Sequence, residues 1–136
     1  MSIETGVLLD QNYQPLFWHE PAGRGPGYLP DSRTLWDVLW ENRARVWGFA
    51  HSHPGSGRTR PSLEDVTTFA AVEAAIGRRL VWPIITSNTV CFFMWSGFNR
   101  LSYTEFEFPA DSEADPCKLT PWYWELRRRS YEVPYG

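Results

Sequence analysis

Apolar residues along the chain fall into short runs separated by turn signals, with two stretches of helical spacing between them. ETGVLLD and QPLFWHE flank Asp10-Gln11-Asn12, so residues 4–20 read as a β-hairpin. PAGRGPGYLPDS is loaded with Gly and Pro and reads as loop. Beyond it Leu35, Val38, Leu39 and Asn42 stand at i, i+3, i+4 and i+7, which predicts a helix capped by Asp31 or Ser32. Its core stripe is Leu35, Val38 and Leu39, with Trp36 and Trp40 on a neighbouring face. VWGFAHSH is the next strand, and strict alternation puts Trp47, Phe49, His51 and His53 on one side of it. After a loop from Pro54 to Pro61, a second helix is predicted from Ser62 to about Arg79, with Val66, Phe69, Val72 and Ile76 inward. LVWPIIT, VCFFMW and RLSYTEFEF read as three further strands, and Pro83 predicts an edge position or a bulge in the first. The order predicts one α/β (α+β) domain, a mixed and mostly antiparallel sheet flanked by helices.

Composition narrows the class. A chain of 136 residues, 43% hydrophobic and 21% charged, is long and apolar enough to bury a core. Eight Trp, eight Phe and six Tyr are many for that length, which points to some of them at a binding surface and most in the core. A net charge of −3 gives no general electrostatic case for nucleic acid, and the basic run Arg127-Arg128-Arg129 reads as a solvated face. Cys91 lies in the apolar run TVCFFMW and reads as a core thiol; Cys117 is far from it and no CxxC spacing occurs. MSIETGVLLDQ lacks the basic and long apolar stretches of a signal peptide, and no run approaches the roughly 20 apolar residues of a membrane span. A cytoplasmic protein is the expectation.

The chemistry is concentrated in GFAHSHPGSGRTRPSLEDV. Histidines at i and i+2 of a strand project to one face, so His51 and His53 can reach one metal. Imidazole suits Zn²⁺, and a catalytic zinc site takes three protein ligands and a water. Asp65 is the natural third ligand, in the first turn of the helix to which the loop returns. Ser62-Leu63-Glu64-Asp65 also reads as a plain capping box, with Ser at N-cap and an acid at N3. Adjacency favours a site: HxHP, a short Gly/Pro loop and PSxxD stand together within fifteen residues.

HSHPGSGRTRPSLED resembles the signature of the JAMM metalloproteases (the JAB/MPN-plus domain), in which an upstream Glu is followed by HxHP and SxxD. RPSLEDV is most like the bacterial branch, which includes the RadC family, and the resemblance covers roughly residues 3–108. It implies an MPN/JAB-like (cytidine-deaminase-like) core over residues 1–109, with 110–136 as an aromatic and basic C-terminal extension of the same domain. It further implies that His51, His53 and Asp65 bind zinc, that Ser62 hydrogen-bonds the developing oxyanion, and that a Glu is general base and then general acid. Glu4 is assigned to that last role, with Glu20 beside His19 as competitor. The family usually has seven residues between the second His and the Ser, whereas Pro54 to Pro61 makes eight. Only three residues precede Glu4, which predicts a base tethered by little chain.

By the same resemblance the expected activity is a zinc peptidase or isopeptidase. It would cleave after the C-terminal glycine of a ubiquitin-like protein, in deconjugation or precursor processing, with a bacterial conjugation or antiviral defence pathway as one setting. The tail would pair as an added strand in a groove lined by Gly55, Ser56, Gly57 and Arg58. Trp36 or Trp40 could hold the partner's globular part. The alternatives are a non-catalytic JAB-like partner-binding domain and a RadC-like DNA-associated protein, the latter opposed by the acidic charge.

Overall fold

The computed structural model describes residues 2–106 and 122–132. The acidic segment 110–116, Cys117, the 109/110 boundary and the predicted strand end at 107–108 lie outside the described residues. Among the described residues there are six strands and three helices: β1 (Gly6–Asp10), β2 (Pro15–His19), α1 (Arg33–Glu41), β3 (Val46–Ser52), α2 (Leu63–Ile76), β4 (Trp82–Ile85), β5 (Val90–Trp95), β6 (Tyr103–Phe106) and α3 (Trp122–Tyr131). They form one mixed sheet of order β2-β1-β3-β4-β5-β6, in which only the β3–β4 pair is parallel. The α+β class is therefore as the pattern predicts.

The hairpin turn is held by the Asp10 carboxylate, which accepts the N–H groups of Asn12 (2.8 Å) and Gln14 (3.0 Å). Ser32 caps α1 by accepting the Leu35 N–H at 3.1 Å. Leu35 and Leu39 are buried and Val38 is half-buried against the same core. Trp36 is half-buried and donates its indole N–H to Asp31 at 2.5 Å, while Trp40 is exposed with Arg43 stacked 4.1 Å from its ring. α2 ends at Ile76 rather than near Arg79, because Gly77 takes the left-handed conformation (φ 78°) that closes a helix and that only glycine adopts without strain.

Two packing layers sandwich the sheet. Leu8, Phe49, Trp82 and Phe93 pack against α1 and α2, whereas Val7, Ala50, Ile85 and Phe92 pack against α3 through Trp122 and Leu126. The predicted face of Trp47 is wrong: it packs on the α3 layer, opposite Phe49. The cause is a register shift in the β1–β3 ladder, where Leu9 faces Gly48 but Asp10 faces Val46, so Trp47 is skipped and the alternation slips by one.

Pro83 also departs from expectation. It is in β4, an interior strand between β3 and β5, and it pairs with Phe92. The β3 side tolerates it because the parallel ladder is broken there: an isolated bridge joins Gly48 and Val81, and pairing resumes at His51–Ile84. The arginine run is solvated in part, with Arg128 exposed and Arg127 and Arg129 half-buried. Arg128 and Arg129 both pair with Glu125, and Arg129 also reaches Glu20 and lies 4.1 Å over the Trp18 ring. The extension beyond residue 110 thus contributes Trp122 and Leu126 to the core. Cys91 is buried with a free thiol, as expected. Among the described residues no helix is long and apolar enough to cross a membrane.

Candidate metal centre

The antiparallel β1–β3 register decides which acid meets the histidines. Gly6 pairs with His51, and the Ser52 N–H donates to the Thr5 carbonyl at 3.0 Å, so Glu4 comes level with His53 on the same face. Ligand atoms of Glu4, His51 and His53 all lie within 4.8 Å of one another, a group that could hold a metal ion. Glu4 and His51 are buried and His53 is half-buried. Glu20 lies elsewhere, paired with Arg24 at 3.0 Å and with Arg129.

Asp65 arrives from the opposite side on the first turn of α2. Its Oδ2 lies 3.1 Å from His53 Nε2 and 3.4 Å from His51 Nε2, and the two Nε2 atoms are 3.0 Å apart. Ligands about 2.0–2.1 Å from a tetrahedral zinc stand about 3.3–3.4 Å from each other, so the trio has the spacing of three corners of such a site. His53 is oriented by the loop: its Nδ1 meets Thr59 Oγ1 at 2.9 Å, which leaves Nε2 for a metal. The donor set of two imidazoles and a carboxylate fits zinc.

The capping box is real and shares atoms with the site. Ser62 Oγ accepts the Asp65 N–H at 3.0 Å, and Asp65 Oδ2 accepts the Ser62 N–H at 3.0 Å. The cap uses Ser62 Oγ only as an acceptor, so its O–H remains available to the cleft that Ser62 lines. In the loop between β3 and α2, Gly55 and Gly57 have φ of 88° and 81°, a conformation open to glycine without strain.

The two carboxyls are driven apart electrostatically. Burial pushes Glu4 up to about 7, with Asp65 and Glu64 adding to the effect and His53 opposing it. Burial would also raise Asp65, but hydrogen bonds with His51, His53 and the Ser62 N–H outweigh it and hold the carboxyl well below the usual range. In the metal-free protein Asp65 is thus held ionised, while burial favours the protonated form of Glu4.

A pH dependence follows. In the metal-free protein Glu4 keeps a proton that the unfolded chain loses near 4.5, so its contribution to stability falls as pH rises from about 4.5 to about 7. A bound cation reverses this by favouring the carboxylate. At pH 6, zinc uptake by the wild type should release about one more proton than uptake by Glu4→Gln. Calorimetry in two buffers of different ionisation enthalpy reads the difference, and equal release would refute it.

Short tethering of Glu4 is not what the structure shows. The Glu4 N–H donates to Gly25 O at 2.9 Å, the Ile3 N–H to Ser130 O at 2.8 Å and the Thr5 N–H to Ser52 Oγ at 2.9 Å. The Arg24 guanidinium adds a bond to Thr5 Oγ1 at 2.5 Å. α3 also holds the other side of the site, because the Tyr131 O–H donates to the carbonyls of His53 (2.6 Å) and Ile85 (3.1 Å). Burial keeps that phenol protonated by raising its pKa. Thr59 and Tyr131 carry no sequence signal, the latter lying 78 residues beyond the carbonyl it holds. Tyr131→Phe should weaken zinc binding about tenfold with little change in thermal midpoint; a competition titration against a chelating dye measures it.

The predicted groove residues sit apart from the cleft. A cavity of about 470 Å³ opens beside the histidines, and its lining includes residues Gly27 to Asp31 and Ser62 but none of Gly55 to Arg58. Gly57 O instead accepts from Thr86 (2.9 Å) and Thr89 (2.7 Å), its N–H donates to Asn88 (2.7 Å), and Arg58 pairs with Glu105. Ser87 N–H donates to Gly55 O at 3.0 Å, and Ser56 is exposed. No protein-family model matches the chain, and no curated protein matches it either.

Proposed function

We propose that this protein is a zinc-dependent peptidase or isopeptidase with the MPN/JAB fold. The observation that carries the reading is the convergence of His51, His53 and Asp65 at 3.0–3.4 Å, with Glu4 beside them. Zinc bound by that trio would supply a water acidified to about pKa 7 and a Lewis-acid contact to a carbonyl. Glu4 takes the proton of the attacking water and passes it to the leaving amine, a role that suits a buried carboxyl set beside the two histidines. Ser62, at the positive end of α2, donates its O–H to the oxygen on which negative charge develops. Tyr131, Thr59 and the N-terminal hydrogen bonds hold these groups in place, so little reorganisation is left for the reaction itself.

The substrate class proposed is a ubiquitin-like protein cleaved after its C-terminal glycine, as conjugate or precursor. The test is hydrolysis of a ubiquitin-like fusion by zinc-loaded protein. Cleavage after the terminal glycine, abolished by chelation and restored by zinc, supports the reading. Saturating zinc with no cleavage of any conjugate or fusion removes it in favour of a non-catalytic partner-binding domain.

A further inference from the structure

The cleft contains more than the catalytic trio and its acid require. Besides His51, His53 and Asp65 its lining includes the half-buried Phe49 and Leu29 and the exposed Tyr28, with Leu35, Phe69 and Trp82 buried behind them. Phe69 and Trp82 are stacked, with ring centroids 4.1 Å apart and planes at 11°, and Phe49 lies 6.4 Å from Trp82. The Phe69 ring is 6.2 Å from the His51 ring, so the aromatic wall begins one ring away from a ligating imidazole.

The outer wall is built rather than loose. His19 is buried and its Nε2 meets the Pro30 carbonyl at 2.7 Å, while Gly25 and Tyr28 form a β-bridge. Asp31 is committed to the Ser32 N–H (2.8 Å) and the Trp36 indole (2.5 Å). Among the described lining residues there is no Lys or Arg, and Glu64 lies at the mouth, so an acidic side chain meets no counter-charge. About 470 Å³ is the size of a small-ligand pocket, and a glycine on both sides of the scissile bond would leave its apolar end unfilled.

We propose that the aromatic end of the cleft is a subsite for a large apolar side chain (Leu, Met, Phe or Tyr) on the residue whose amide nitrogen leaves. The inference rests on the hydrolytic reading and sharpens it: with glycine on the acyl side, the preferred substrate is a linear precursor or fusion in which a large apolar residue follows the glycine. A charged residue there is disfavoured, aspartate most, because Glu64 repels it and no Lys or Arg among the described lining residues pairs with it.

The test uses zinc-loaded Glu4→Gln protein, in which affinity is read without turnover, and decapeptides differing only in the residue X of Gly-Gly-X. Peptides with X = Phe or Leu should bind at least about tenfold more tightly than X = Gly, and X = Asp most weakly. Thr68→Trp places an indole in the cleft from the exposed side of α2 and should erase the preference while zinc stoichiometry and thermal midpoint stay unchanged. Equal affinities across X, or a preference that survives Thr68→Trp, would overturn the subsite. The two readings fail separately. A retained preference with no cleavage of any wild-type substrate removes the hydrolytic reading alone. Cleavage of fusions with a rate indifferent to X removes the subsite alone.

Discussion

Glu4→Gln is expected to keep zinc and lose about 10²–10⁴-fold in turnover, the range typical of a lost general acid–base group. The substitution preserves shape and the backbone bonds that fix the segment, since Gly25 and Ser130 accept from main-chain N–H groups. What it removes is a carboxyl, buried beside the two imidazoles, that a bound cation would hold as the carboxylate a general base needs. Stopped assays on a fusion substrate, with zinc content measured on the same samples, read both quantities. A variant that turns over within threefold of the wild type, or one that cannot hold zinc, would show that Glu4 is a bystander or a ligand.

The second large effect is on stability. Glu73 is a buried carboxylate on α2 that accepts from the Leu80 N–H (2.8 Å), the Trp82 indole (3.0 Å), Arg79 (3.0 Å) and the Tyr103 hydroxyl. It ties the end of α2 to β4 and β6, and burial together with this carboxylate raises the pKa of Tyr103. Glu73→Ala leaves three buried donors without an acceptor and opens a hole beside the stacked Phe69–Trp82 pair. Removing one partner of a buried charged network costs about 3–5 kcal/mol, so the thermal midpoint should fall by roughly 10 °C or more. Glu73→Gln keeps the volume and one acceptor and should fall by less. Thermal melts monitored by circular dichroism compare the three proteins; an unchanged midpoint in Glu73→Ala would mean that the network contributes nothing net.

Local patterns made much of this legible. The hairpin around Asp10, the Ser32 cap, the capping box of α2 and the common face of His51 and His53 depend on contacts within a few residues, which spacing alone encodes. Long-range register was not legible. Glu4 meets His53 because β1 and β3 pair antiparallel, and no local signal distinguishes it from Glu20. Trp47 changed sides through a single skipped residue, and Pro83 tolerates an interior strand through a gap in one ladder. The tail that carries α3 was read as an aromatic and basic extension of the domain, which did not foretell that Trp122 and Leu126 close the second layer or that Tyr131 reaches the His53 carbonyl. Glu73 was hidden for a related reason: a lone acid on a helix announces itself as buried only when its four donors, from β4, β6 and the loop between α2 and β4, are seen together.

The central claim is that His51, His53 and Asp65 hold one zinc and that Glu4 faces it without binding it. Calorimetric titration of zinc into metal-free wild type, Asp65→Asn and Glu4→Gln tests this most directly. The Asn side chain keeps an acceptor for the Ser62 N–H, so the helix start survives while the ionised ligand is lost. The account predicts one zinc per chain, affinity at least about 100-fold weaker in Asp65→Asn, and near wild-type affinity in Glu4→Gln. Binding that ignores Asp65→Asn but collapses in Glu4→Gln would contradict it and make Glu4, His51 and His53 the ligands.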